Sequence, residues 1–260
     1  MLTGMTETDW KLVVKLFRAA RSGPGDRGRN DRRFLEALHY FTVHNITGRS
    51  LPERFGNWNS VWKRFWRLSR SGVFEAFFQF LAEQSETAHL VQFRQHRRPR
   101  PCLGGGSERG NTYCQALGRS RGGFSTKIHL KTDFDGLPLD FHLTGGEASD
   151  CSEFQTSLDI GPDIQSRVAV TDKGYDSLRN RASARTRGIT PVIPRRKTAK
   201  DRGRFFPTML YKTRARIEQT VGKLKRFKRV ALRCEKTAAS FSAIVSFACG
   251  LILVKSVHTA

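Results

Sequence analysis

Up to about residue 90 the chain repeats one pattern, apolar positions three and four apart broken by polar turns. In TETDWKLVVKLFRA, residues 6–19, Trp10, Val13, Val14 and Phe17 fall at i, i+3, i+4 and i+7, the stripe of an amphipathic helix opened by Thr6 or Thr8. A Gly/Arg-rich loop follows. DRRFLEALHYFTVHN, starting at Asp31, predicts a second helix, SLPERFG a short third, and NWNSVWKRFWRLSRSG a fourth, capped by Asn57 or Asn59 and stopped by Gly72. VFEAFFQFLAEQ adds another amphipathic helix. Further on the period shortens to two. Residues 124–130, 137–144 and 167–172 read as strands, the first two joined by the turn-like KTDFDG. A helical segment lies around CSEFQTSLD, then SLRNRASARTRG as helix, TPVIP as strand, and a long basic helix from Met209 to about Arg229.

Hairpin, helix, strand, helix, strand, helix describes a mixed sheet with flanking helices, an α/β domain of the ribonuclease-H type. Such a sheet starts with a central strand just before the hairpin. At that place stands QFRQHRRPRPCLGGGSERGNTYCQ, residues 92–115, which shows neither helical nor strand alternation. It reads as a basic linker or as a phosphate-gripping loop built on Gly104, Gly105 and Gly106. The expected organisation is a helical, helix-turn-helix-like domain over 1–90, an aberrant segment over 91–114, and a ribonuclease-H-like domain over 115–260.

Composition sharpens the question of partner. With 260 residues and 38% hydrophobic content the chain can bury a full core, yet 46 basic against 23 acidic residues leave a net charge of +23. That excess points to a polyanion, nucleic acid foremost, with a generally basic surface as the alternative. It is concentrated over residues 185–230, which hold 16 Lys/Arg and two acids, Asp201 and Glu218. In the fourth helix Lys63, Arg64, Arg67 and Arg70 stand beside Trp62 and Trp66. They suggest a basic face that meets DNA, against an ordinary helical bundle with a solvated face. Trp58, Trp62 and Trp66 are read as core of this domain rather than base-stacking platforms, and His39, His44, His129 and His142 as packing or surface residues rather than ligands.

The five cysteines are scattered without C-x-x-C spacing, which predicts free thiols, a reducing compartment and no zinc site. The apolar run AIVSFACGLILV, residues 243–254, is shorter than the roughly 18–20 residues of a membrane span and predicts a buried core helix. A cytoplasmic, nucleoid-associated protein without a membrane partner is expected.

Two carboxylates carry the candidate chemistry. VAVTDKGYD ends an apolar strand on Asp172 before a Gly174 turn, where sheet enzymes place metal ligands or bases and where Asp also serves as a plain cap. In LYKTRARIEQTVGKLKRFKRV the single acid, Glu218, is surrounded by cations. It is a salt-bridge partner, or it shares hard divalent cations with Asp172 while the flanking cations grip phosphates.

With these residues the chain resembles the DDE transposases of bacterial insertion sequences, specifically the insertion-sequence five family. The resemblance rests on the strand motif at 170–176 and on the helix signature met by Tyr211, Arg214, Glu218 and Lys225. It extends over QALGRSRGGFSTKIHLKTDFDGLPLDFHLTGGEASD and the tail from Arg233, while residues 6–90 resemble the family's helical DNA-binding portion. It implies a nuclease-transferase with three carboxylates on two Mg²⁺ ions, acting on the double-stranded terminal inverted repeats and on target DNA, as a homo-oligomer on DNA. Asp172 matches the second carboxylate and Glu218 the third. Lys173 and Tyr175, beside Asp172, are read as touching the scissile strand or as plain turn residues, Arg214 and Lys225 as phosphate contacts or solvated helix charge, and Tyr211 and the α-helical Lys63, Arg64 and Arg67 as further DNA contacts.

The first carboxylate is missing. Read one base later with suitable codons, Arg94 onward becomes Asp-Ser-Thr-Val-Val-Arg-Ala-His-Val-Ser-Ala-Ala-Gly-Ala-Lys-Gly, which resembles the family's missing segment. Residues 93 to about 114 are therefore expected to be translated out of frame, and this copy to be catalytically impaired. Asp133, Asp135 and Asp140 are the nearest substitutes in sequence, expected to point elsewhere. A DNA-binding remnant that represses transposition is the competing reading; a ribosomal-type RNA-binding protein fits the charge but not the helix signature.

Overall fold

A computed structural model describes residues 4–21, 30–85, 87–88, 90–99, 115–120, 123–196 and 205–257. The phosphate-gripping or linker role expected for Gly104, Gly105 and Gly106 lies outside these residues. The chain divides into two compact units, one formed by residues 1–81, 98–115 and 223–260, the other by 82–97 and 116–222.

The helical unit contains α1 (Glu7–Ala20), α2 (Asp31–His44), α3 (Trp58–Arg70), α4 (Val73–Ala82) and, from the far end of the chain, α9 (Lys228–Leu232) and α10 (Ala238–Val257). Thr6 and Asp9 close a reciprocal capping box at the start of α1. Asn57 caps α3 by accepting from the Asn59 amide. The short third helix expected in SLPERFG, residues 50–56, is instead a single 3-10 turn, Glu53–Phe55, set between Pro52 and Gly56 and preceded by another at Gly48–Ser50.

Aromatic rings make the core: Phe17 packs on Phe34 and Phe74, Phe74 on Phe65 and Phe247, and Phe77 on Phe247. Gly250 permits this approach, since a Cβ there would lie 2.3 Å from the Phe77 ring. The tail was expected in the 115–260 domain, but α10 groups with the N-terminal helices. At 20 residues α10 is longer than its apolar run suggests, and by length and composition it passes for a membrane-crossing helix. It is apolar on every side because it is buried on every side, from Ala243 to Val254 without a break.

The helical unit also buries charge. Asp31 is 2% exposed and takes Arg18 Nε at 2.7 Å, Arg21 Nη1 at 3.0 Å and Arg64 Nη2 at 2.6 Å. Burial opposes ionisation of its carboxyl, but the hydrogen bonds from Arg18 and Arg64 and the charges of Arg21 and Arg64 prevail and hold it below the ordinary carboxylate value.

The second unit is built on a sheet in the order β2 (Gly118–Ser120), β3 (Gly123–Thr132), β1 (Leu90–Pro99), β5 (Val168–Val170), β6 (Thr190–Val192), with β4 (Pro138–Gly145) paired to β3. With the three-residue β2 set aside, the strands follow the third-second-first-fourth-fifth order of a ribonuclease-H sheet. Strands β1, β5 and β6 run parallel, and β3 and β4 form the expected hairpin. Helices α5 (Phe154–Asp159) and α6 (Leu178–Thr186) belong to this unit, as do α7 (Thr208–Lys212) and the first eight residues of α8 (Ala215–Arg226).

Two expectations need correction. The central strand is present: Leu90, Val91 and Gln92 pair with Val168, Ala169 and Val170, and Val91 and Phe93 are buried in the core of the unit. Backbone pairing between two neighbours does not require the run of charges beyond Phe93 to alternate. The single long helix from Met209 is broken into α7, α8 and α9. At the first break Thr213 turns its hydroxyl onto the Leu210 carbonyl, and the Thr213 and Arg214 amides bond three residues back.

Buried imidazoles give the fold an acid-sensitive element. His39 lies edge-on to Trp10 at 5.6 Å, and burial, then His44 and Lys255, lower its value from 6.5 to about 4. His129 stacks on its cross-strand partner His142 at 4.5 Å, and burial, then the charges of His142 and Lys127, lower it to about 3. Both stay neutral in the folded chain where the unfolded chain takes up protons. Their contribution is complete above pH 6.5 and is lost as pH falls toward 4 and 3. The urea midpoint is expected to drop between pH 7 and pH 5, and to drop less in His39→Leu.

Candidate functional site

Strand β5 delivers Asp172 two residues past Val170, at its C-terminal end. There Asp172 accepts from the Gly174 amide at 2.7 Å and starts the 3-10 turn Lys173–Tyr175. Glu218 comes from the first turn of α8. That turn is held against the β3–β4 connection: Arg216 reaches the Phe134 carbonyl at 3.1 Å and Asp135 at 2.7 Å, and Thr220 donates to the Gly136 carbonyl. Gly136, at φ 80°, is required, because a Cβ would lie 2.8 Å from the Arg216 backbone.

Asp172 and Glu218 meet through one guanidinium, that of Arg214. Arg214, set at the break before α8, places Nη1 2.7 Å from Glu218 Oε1 and Nη2 3.6 Å from Asp172 Oδ2. From β1, Arg94 donates a second, short hydrogen bond to the same Glu218 oxygen. Two carboxylates and two permanent cations thus form one neutral cluster, with Asp172 and Arg94 each 27% exposed.

Asp150 also lies close to Gly174: a Cβ on that glycine would lie 2.8 Å from Asp172 Oδ1 and 3.3 Å from Asp150 Oδ2. Lys127 holds Asp150 at 2.8 Å. The Tyr175 phenol is fully buried; burial first, then Asp150, Asp172 and Glu153, hold it well above its ordinary value, so it stays protonated.

Lys173 is exposed at this edge, and the Tyr211 ring packs on Phe206 at 5.3 Å. Lys225 is exposed on α8 but belongs to the helical unit. There, Lys63 and Arg67 stand exposed on α3, whereas Arg64 turns inward, 12% exposed, onto Asp31 and the Phe34 ring. The tryptophans read as core are not: Trp58, Trp62 and Trp66 are 37%, 36% and 47% exposed, while Val61, Phe65 and Leu68 fill the buried face of α3. They form an outward aromatic ridge, and Arg70 lies over the Trp66 ring at 4.9 Å.

The divalent metals that the resemblance implies do not fit this cluster. Among the described residues no group of three or more His, Cys, Asp or Glu is placed to hold a metal ion. The substitutes are engaged elsewhere: Asp133 with Ser85 and the Leu137 amide, Asp135 with Arg216, and Asp140 with the Phe141 amide. Sequence reasoning missed Arg94, which falls in the stretch without alternation, and Asp150, whose only signal was its position just after the hairpin.

Residues 91–253 match the family of the transposase DDE domain, and residues 5–78 match a family described as transposase of the IS4/5 family. The chain is similar to the transposase ascribed to insertion sequence element IS402 of Burkholderia cepacia, 35% identical over 136 residues, which cover 49% of this chain and 62% of that protein. It is also similar to the one ascribed to IS6501 of Brucella ovis, 34% identical over 138 residues, 50% of this chain and 99% of that one. The chain thus matches less than two thirds of the first relative's length. Among solved structures, the Mos1 transposase paired-end complex with left transposon end aligns over 80% of this chain and 82% of its own, at 11% identity and a TM-score of 0.28. So loose a superposition adds nothing to the family match.

Proposed function

The chain belongs to the DDE transposases of insertion sequences, and from that membership we propose that it binds the terminal inverted repeats of its element as a DNA-binding protein whose strand-cleaving centre is impaired. Asp172 and Glu218 are the remaining catalytic, metal-binding carboxylates. The observation that carries the reading is their cluster, which contains a guanidinium from β1 and lacks a third carboxylate among the described residues. Family membership makes Mg²⁺ the normal cofactor and a homo-oligomer on DNA the normal assembly, in the cytoplasm at the nucleoid; this copy retains the DNA partner without a complete ligand set.

Binding belongs to two basic surfaces. On α3, Lys63, Arg67 and Arg70 flank the aromatic ridge; Arg64, taken up by Asp31, is a structural cation in this reading. On the sheet unit, Lys173 and Tyr211 face phosphates, while Arg214 is taken up by Glu218 and Asp172; Lys225 adds a phosphate-binding cation on the helical unit. A net charge of +23 supports the assignment, and it makes the affinity steeply dependent on salt, with a slope of about −0.9 per neutralised phosphate. Fluorescence anisotropy with a labelled duplex from the repeats flanking the coding sequence tests this. Affinity that falls steeply with salt and does not require Mg²⁺ supports it; salt-insensitive binding, or preference for RNA of the same length, overturns it.

The segment from residue 93 to about 114 is the product of a shifted reading frame in this proposal. Resequencing the codons for residues 88–118 should show the Asp-Ser-Thr peptide in the neighbouring frame. Its absence from every frame would remove this origin for the lost carboxylate.

A further inference from the structure

We infer that the tryptophan ridge of α3 stacks the bases of an unpaired DNA strand, so that this helix holds frayed or separated ends as well as the closed repeats. The inference rests on the proposed reading of α3 as a surface that meets DNA, and adds a second form of DNA that it takes.

Spacing supports it. Trp58, Trp62 and Trp66 recur at every fourth residue, and a rise of about 1.5 Å per residue sets them about 6 Å apart along the helix. That interval is nearly twice the rise of about 3.4 Å between stacked bases of one duplex strand, and it suits a strand whose bases are drawn apart. The rings are also held in place. Trp58 leans on the turn at Gly48, where a Cβ would lie 2.7 Å from the indole. The Trp62 ring packs on Phe65 at 5.2 Å, with the Arg229 guanidinium 5.9 Å from its centre, and Arg70 lies over Trp66. Rings anchored in advance lose little freedom when a base stacks on them.

Charge selects the occupant. A duplex offers base edges and phosphates but keeps its base faces stacked inside, so a row of indoles finds no flat partner there. An unpaired strand offers both. Its phosphates meet Lys63, Arg67 and Arg70, which alternate with the rings on the exposed face of α3, and its bases meet the indoles. A second copy of the chain suits this face less. A two-fold contact sets one patch against itself, and here it would bring these cations together on a helix that has no acid.

The test is fluorescence anisotropy of the full chain with three labelled probes of equal length: an oligothymidylate, an oligouridylate and a closed duplex from the repeats. The samples are the unaltered chain, Trp62→Ala/Trp66→Ala and Trp62→Phe/Trp66→Phe. The alanine pair is expected to lose about thirtyfold or more in affinity for oligothymidylate and less than about threefold for the duplex. The phenylalanine pair, which keeps a stacking face at each place, should recover most of the loss. The salt slope should stay that of the unaltered chain, since no cation is removed. Should the alanine pair not fold, tryptophan emission of the unaltered chain reads the same contact: oligothymidylate quenches it and the duplex leaves it nearly unchanged. Equal losses on both probes, no loss on oligothymidylate, or equal quenching by the duplex overturns the inference. So does a DNA-free dimer that the alanine pair abolishes, which would give the ridge to a second copy, and so does tighter binding of oligouridylate, which would give it to RNA. The duplex probe keeps the two readings apart: duplex binding absent from every sample, with ring-dependent binding of oligothymidylate intact, speaks against the proposed function and leaves the inference standing.

Discussion

Joint replacement of Lys63, Arg67 and Arg70 by alanine is expected to weaken binding to repeat-end DNA about a hundredfold at near-physiological salt, and to flatten the salt slope by roughly three units, one for each phosphate left without its cation. All three side chains are exposed on one helix that carries no acid. Their removal leaves no buried partner unpaired, so stability should change by less than about 0.5 kcal/mol per site. Arg64→Ala is the contrasting control. It removes a cation from the same helix but one already joined to Asp31, so it should lower stability and hardly alter the salt slope. Equal effects of Arg64 and of the exposed trio on DNA would mean that the outward face of α3 is not the surface that meets DNA.

Asp31→Ala is expected to destabilise the helical unit by about 3–5 kcal/mol, the range for breaking a buried ion cluster from one side. The carboxylate is 2% exposed, and its removal takes one anion from beside the half-buried guanidinium groups of Arg21 and Arg64, 16% and 12% exposed. Arg18, at 61% exposure, recovers water and adds little to the loss. Urea unfolding followed by tryptophan emission measures this unit selectively, because all four tryptophans, Trp10, Trp58, Trp62 and Trp66, lie in it. An unchanged midpoint would show that the three arginines are solvated in solution.

How far the sequence revealed this molecule depended on whether a local pattern matched what each residue packs against. Helix α1 was legible because its apolar stripe and its Thr6 cap agree. The hairpin β3–β4 was legible because its strands alternate around a turn. The strand β1 was not, since only Val91 and Phe93 mark its buried face before the charges begin, and its existence depends on pairing with β5 rather than on its own composition. The tryptophans of α3 misled for a related reason. Large rings ordinarily fill cores, but here Phe65 and Leu68 take the inner face and leave the indoles outside.

The site divides the same way. Asp172 and Glu218 were legible from a strand end and from one acid in a basic helix, and a single guanidinium, Arg214, links them. The break at Thr213, which aims Arg214, was hidden inside a sequence whose composition suits a continuous helix. Arg94 was hidden more deeply: an arginine in an arginine-rich stretch carries no local mark of its place beside Glu218, which only the folded strand β1 reveals.

The most direct test of the central claim is cleavage of a supercoiled plasmid carrying both element ends, with binding recorded on the same sample. The plasmid is predicted to be bound and to remain uncut in Mg²⁺ or Mn²⁺. Metal-dependent nicks at the element ends that disappear in Glu218→Gln would contradict it, showing that the cluster of Asp172, Glu218, Arg94 and Arg214 opens and works as a cleavage centre as it stands.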